Sequence, residues 1–244
     1  MKWMPKWIGK RYASLWSKFK EEPFSYSQAS SLLKQYTSNY LSELKTCQSL
    51  FTFGRGRRAR RYRLIPPNLF IYAYAHQFQV EGLKSSLYTS LLVKFFYVLK
   101  EDFGENLLAM GVFGSVARGT ATKESDIDIL ILVKNLDMSL LERTKRILHL
   151  KNNAIISQEL AFLDSLGYTP QLNCYMRQPE ELKVTYFTID LSYDLHILFD
   201  EGILQEFLHQ IEKRIKEKAI QRVYLDEEKY YLDLGLEFGE AYEF

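Results

Sequence analysis

Two aspartates one residue apart, Asp126 and Asp128, open an apolar run from Ile129 to Val133. In a strand, residues two apart share a face, so both carboxylates would stand side by side while Ile127 and Ile129 turn to the core. Like charges placed this way repel and are costly to leave unpaired at a sheet end. A divalent cation with a preference for oxygen, usually Mg²⁺, removes the repulsion. Upstream, the apolar run Leu107 to Phe113 enters a Gly-Ser turn, Gly114-Ser115, followed by Ala117, Arg118 and Gly119. Backbone N–H groups of such a turn, at the start of a helix, favour an anion such as phosphate. A phosphate cradle beside metal-binding carboxylates is the equipment for phosphoryl or nucleotidyl transfer.

The elements that must position these residues sit in a chain of 244 residues, 47% hydrophobic and 25% charged, a composition of soluble globular proteins. No apolar run approaches the roughly 20 residues needed to span a bilayer, and the basic, aromatic start lacks the apolar core of a leader. A cytoplasmic protein without membrane contact is expected. Cys47 and Cys174 fit neither a metal spacing nor a disulfide framework, and the four histidines are scattered.

The net charge of +2 conceals a division. Up to Pro67 there are 14 basic residues against three acidic ones, a net of +11, while the remainder carries 18 against 27, a net of −9. A basic, polyanion-binding head on an acidic body follows. In the head, Trp7, Ile8, Tyr12, Leu15, Trp16 and Phe19 recur at helical spacing until Pro23. Ser25 or Ser27 can cap a second helix, and Thr37 or Ser38 a third with Tyr40, Leu41, Leu44 and Cys47 inward. Phe51 to Leu64 reads as two short strands around a GRG turn. Three helices and a hairpin is the order of a winged helix-turn-helix domain, and residues 1–66 resemble that family in pattern. The resemblance implies contact with double-stranded DNA. Ser38, Asn39, Ser42 and Lys45 would face a major groove, with Arg55, Arg57, Arg58, Arg60, Arg61 and Arg63 along phosphates or in the minor groove.

Pro66-Pro67 marks a boundary. A helical connector over 67–104 is expected, with Asn68 capping its first helix and a second running from about Leu83 to Glu101. Its aromatic residues would pack between the two domains or against a second copy in a homodimer, with exposed base stacking as the alternative. From 105 to 244 the reading is a strand, the Gly-Ser turn and a second strand. Then come a long helix from Ser139 to Leu163 interrupted near Asn152-Asn153, a strand over Tyr168 to Met176 and a helix from Pro179. A short strand, Ile197 to Phe199, and an amphipathic helix, Gly202 to Lys218, precede an aromatic, acidic tail.

The stretch GSVARGTATKESDID resembles the signature of the DNA polymerase β-like nucleotidyltransferases in their minimal form, with Gly114, Ser115, Ala117, Arg118, Gly119, Ser125, Asp126 and Asp128 in the signature's places. Downstream, Pro179-Glu180-Glu181, Ile189-Asp190-Leu191 and Ile197-Leu198-Phe199-Asp200 are similar to segments of archaeal members. The resemblance implies an α+β fold with a small mixed sheet flanked by helices, NTP as substrate and two Mg²⁺ ions on Asp126 and Asp128. Gly114 and Ser115 would hold the triphosphate. Arg118 would neutralise phosphate or brace the turn, and Ser125 would orient the strand start beside the nucleotide. Active members place a third carboxylate on a later strand. Here the strand over 168–176 contains no acid, and Asn173 sits about where one is expected; Asn cannot act as a general base. Asp190 or Asp194 could fill the place, Asp190 by preference. The resemblance thus implies transfer of a nucleoside monophosphate to a protein or tRNA acceptor, as in one half of a toxin–antitoxin pair. The alternative is a DNA-binding regulator whose second domain, weak or inactive as a catalyst, only senses a nucleotide or mediates dimerisation.

Overall fold

A computed structural model describes residues 1–54, 60–225 and 229–235. Arg55, Arg57 and Arg58 lie outside the described residues. The N-terminal part contains α1 (Lys6–Phe19), α2 (Tyr26–Leu33) and α3 (Thr37–Thr46), then the antiparallel strands β1 (Leu50–Phe53) and β2 (Arg61–Leu64), with Leu50 opposite Leu64 and Phe53 opposite Arg61. Ser25 and Gln28 form a reciprocal capping box at the start of α2. Neither expected residue caps α3. Tyr36, in the left-handed region at φ 58, precedes the helix, and Thr37 is buried in its first turn. The elements close over a small core that includes Ile8, Leu15, Phe24, Leu44 and Leu64.

Next, α4 (Pro67–Ala75) begins at Pro67, whose fixed φ suits the first helical position, so Asn68 lies inside the helix and does not cap it. A 3₁₀ turn at Ser86–Tyr88 leads into α5 (Thr89–Phe103), which therefore starts later than Leu83. The central sheet consists of β3 (Leu107–Phe113), β4 (Ile127–Val133), β5 (Leu172–Arg177) and β6 (His196–Asp200) in the order β5-β4-β3-β6. It is mixed: β3 is antiparallel to β4 and β6, and β4 is parallel to β5. A short helix, α6 (Gly114–Arg118), follows β3. Between β4 and β5 the expected interruption of the long helix is a full break into α7 (Leu140–Lys151) and α8 (Ala154–Ser165), capped by Ser139 and Asn153.

Alternation along the strands divides the packing. Ile127, Ile129 and Ile131 of β4 share a core with α5, α7 and α8, while Leu130 and Leu132 pack with α9 (Tyr186–Ser192) and α10 (Ile203–Glu217). Pro179–Glu181 is only a 3₁₀ turn; Ser192 ends the helix that follows it. A hairpin of β7 (Gln221–Tyr224) and β8 (Tyr230–Asp233), not foreseen in the acidic tail, packs Leu232 against the second core. No helix among the described residues is long and apolar enough to cross a membrane.

A buried charge cluster joins the basic N-terminal part to the body. Glu159 of α8 has no side-chain exposure and accepts from Arg63 Nη1 and, at 2.7 Å, from Lys94 Nζ of α5. Glu21, after α1, accepts from Lys94 at 2.6 Å and from Arg63 at 3.2 Å. The Arg63 guanidinium also lies 3.8 Å from the ring centre of Phe162. The DNA-contact reading of Arg63 is therefore corrected: it shares a strand face with the exposed Arg61 but lies further along β2, where Glu159 and Phe162 of α8 bury it, and its charge is neutralised inside the molecule.

Burial alone would raise the Glu159 carboxyl, but Arg63 and Lys94 outweigh it and hold the group below its ordinary value of 4.5. A depressed carboxyl contributes stability above its unfolded value, and that contribution is lost as pH falls through the folded one. Glu159→Gln leaves two buried cations with reduced compensation. It is expected to lower unfolding free energy by about 3–5 kcal/mol at pH 7, with the gap to wild type narrowing in acid. Denaturant unfolding at several pH values measures this, and an unchanged midpoint at pH 7 would contradict the role given to Glu159.

Candidate active site

The carboxylate pair stands at one end of the central sheet. Asp128 is the second residue of β4, opposite Phe113 of β3 and beside Asn173 of β5 in register. Asp126 immediately precedes the strand and is exposed, while Asp128 is half-buried. Their convergence is marked by Asn173, whose Nδ2 donates to Asp126 Oδ2 at 3.0 Å and to Asp128 Oδ1 at 3.4 Å. The three side chains therefore share the face of the sheet that carries Leu130 and Leu132.

Gly114 borders the pair on the other side. A Cβ there would come within 2.6 Å of Asp128 Oδ2, and its φ of +71° disfavours any L side chain, so only glycine fits. Ser115 follows in the first turn of α6, and its carbonyl accepts from the Thr120 N–H at 3.0 Å. The Ser125 hydroxyl accepts from the Thr122 N–H at 2.8 Å, which braces the loop entering β4 and commits this group to orientation.

Burial pushes the Asp128 carboxyl above its ordinary range; Asp126 adds to the rise, while the Asn173 amide and Arg118 oppose it. The donor set suits a hard divalent cation: two carboxylates, plus the Asn173 amide oxygen once the amide turns over. Among the described residues no further Asp, Glu, His or Cys joins Asp126 and Asp128.

Asp190, expected as the third carboxylate, is held elsewhere. Its Oδ1 accepts from Arg222 Nη2 at 2.7 Å and its Oδ2 from the Tyr230 hydroxyl at 3.1 Å. Asp194 accepts from both Arg222 and Arg118, the latter at 2.7 Å. The reason is the β7–β8 hairpin, which brings Arg222 to the end of α9 and draws both acids to it. Burial works against the Arg222 charge, but Tyr224, Asp190 and Asp194 more than offset it, and the guanidinium is held firmly protonated. Arg222 escaped the sequence reading because its partners lie 28 and 32 residues away and no motif marks it. For Arg118, the contact seen is to Asp194, which braces the turn.

The family model of the nucleotidyltransferase domain matches residues 92–232, more than half of the chain and all four strands of the central sheet. The chain belongs to the nucleotidyltransferase domain family. A relative in Methanocaldococcus jannaschii, provisionally named protein adenylyltransferase MJ1305, is 24% identical over 151 residues, which span 60% of this chain and 95% of the relative. Among solved structures, a toxin–antitoxin crystallised with AMP-PNP covers 52% of this chain and 90% of its own at 15% identity and a TM-score of 0.32. A mutant of the toxin–antitoxin MntA–HpeT covers 51% and 89% at 12% identity and a TM-score of 0.30. For this nucleotidyltransferase domain, the signature glycine and aspartates lie together at the sheet end, and Asn173 stands beside them.

The raised Asp128 gives a testable sign. The folded state holds this proton more tightly than the unfolded state, so the ionised side chain costs stability at neutral pH, and the cost disappears towards the ordinary value of 3.8. Without divalent cations, Asp128→Asn is expected to melt above wild type at pH 7, with the difference vanishing near pH 4. Mg²⁺ is expected to raise the melting temperature of wild type and leave that of the variant unchanged. A variant that melts below wild type at pH 7 would refute the assignment.

Proposed function

We propose that the chain moves a nucleoside monophosphate from NTP to a hydroxyl of a protein acceptor, with a divalent cation, Mg²⁺ by preference, on Asp126 and Asp128. The observation that carries this reading is the convergence of the two carboxylates with Asn173, against a turn where only Gly114 fits. The protein acceptor is favoured over tRNA by the provisional name of the archaeal relative. A bound cation would supply charge neutralisation at the phosphates. Asp126 and Asp128 hold it, and the Gly114-Ser115 turn seats the phosphate chain. The acceptor oxygen bonds to the α-phosphorus, the bond to the bridging oxygen breaks, and pyrophosphate leaves. Asn173 has no basic lone pair, so the hydroxyl proton departs through the carboxylate pair or water.

Incubation with each labelled NTP, Mg²⁺ and candidate acceptors tests the reading. Wild type is expected to label an acceptor and Asp126→Ala/Asp128→Ala to lose the label. Asn173→Asp, which supplies a third carboxylate, is expected to increase turnover and tighten Mg²⁺ binding. Equal labelling by wild type and the double variant would sink the proposal.

A second reading concerns the N-terminal part: a winged helix-turn-helix, forming a unit with residues 1–66, that tethers the enzyme to duplex DNA or, in the regulator alternative, carries the whole function. It is favoured by Ser38, Asn39, Ser42 and Lys45, all exposed on one side of α3 while Leu41 and Leu44 are buried, and by the exposed Arg60 and Arg61. Replacing Arg57, Arg58, Arg60 and Arg61 with Ala is expected to abolish most duplex binding and flatten its salt dependence by several phosphates. Arg63→Ala should act on stability instead. Mobility shifts that do not change in the fourfold variant would remove the wing from the contact.

A further inference from the structure

The outer edge of the central sheet narrows the choice of acceptor, and this inference rests on the transfer reading above. β5 is the last strand of the sheet; β4 pairs with one side, and no strand among the described residues pairs with the other. Such an edge presents backbone N–H and C=O groups to which another strand can add. Here α7 faces the edge without closing on it, leaving a cleft of about 560 Å³. The helix lines the cleft with Leu140, Thr144, Leu148 and Lys151, spaced four, four and three residues apart and so forming one stripe. The inward side of α7 is already occupied, with Arg143, Ile147 and Leu150 buried. Leu140 and Leu148 nevertheless remain 65% and 52% exposed. The strand side of the cleft runs from Arg177 to Asn173. It therefore ends at the amide that bonds both Asp126 and Asp128.

We propose that this cleft takes an extended segment of the protein acceptor, which adds to β5 as a fifth strand, rests apolar side chains on Leu140 and Leu148, and delivers a hydroxyl side chain at the Asn173 end to the carboxylate pair. A free strand edge matches the repeat of a peptide backbone, and alternate side chains then read the wall. An aliphatic ridge offers nothing to the phosphates of an RNA. Lys151 on the same stripe favours an acidic residue in the bound segment, whereas the charge of Arg143 is taken by Glu181 at 2.6 Å.

The test uses the full chain and a panel of short peptides about as long as β5, each with alternating Val, Thr and Glu and one terminal Tyr, Ser or Thr. Hydrogen exchange with and without peptide is expected to show protection of residues 172–177. Leu148→Asp and Leu140→Asp, both on the exposed stripe, should weaken peptide binding about ten-fold or more without lowering the melting temperature, since each sets a negative charge against apolar and acidic side chains. Protection without any NTP turnover would support the cleft while removing the transfer reading. No binding by any peptide, binding that leaves residues 172–177 unprotected, unchanged binding in both variants, or labelling of RNA alone would overturn the proposal.

Discussion

Glu159 is fully buried and charged, and the balancing of that charge joins four separated parts of the chain. An isolated carboxylate could not remain ionised there. It does so because β2 contributes Arg63, α5 contributes Lys94, and Glu21 supplies the second negative charge that two cations require. Glu21 is one of only three acids in a segment with 14 basic residues. The strongly basic N-terminal part is thus fixed to the body by the few charges that point the other way. Its outward arginines are left to solvent or to a polyanion.

The same α5 that carries Lys94 packs beneath β4, so the charge cluster and the site share one scaffold. Side chains on one face of β4 enter that core, and those on the other pack with α9 and α10 beyond Asp128, which stands at the start of the strand. Asp126 and Asp128 repel, Gly114 leaves room for Asp128, and Asn173 joins the two carboxylates through one amide. A neutral side chain in the third position lets the pair coexist without a cation more easily than a third acid would. It also leaves the site with less negative charge to hold one.

Local chemistry was legible in the sequence where a few neighbouring residues decide it. The aspartate pair, the glycine turn, a cap at Ser25, the helix start at Ser139 and the break at Asn152-Asn153 all depend on spacing within a turn or two. The misreadings share a different cause. Arg63 looked like its arginine neighbours, yet α8 packs over its end of β2 and brings Glu159, 96 residues away, to its guanidinium. Asp190 looked like a spare catalytic acid until a distant hairpin supplied Arg222 and Tyr230. Thr37 had the chemistry of a cap, but its position in the core prevailed. Which partner a charge finds is set by packing between distant segments, and composition carries no record of it.

The hairpin has a reach beyond its own few residues. Arg222 binds Asp194, and Asp194 in turn binds Arg118 of α6, so β7 is wired through one carboxylate to the helix that follows the glycine turn. Were the chain clipped after α10, Asp194 would keep a single cation and Asp190 none. Arg118 would then be the sole counter-charge to an acid it now shares. The C-terminal strands thus act as a tether that sets how strongly Asp194 engages Arg118 beside the glycine turn.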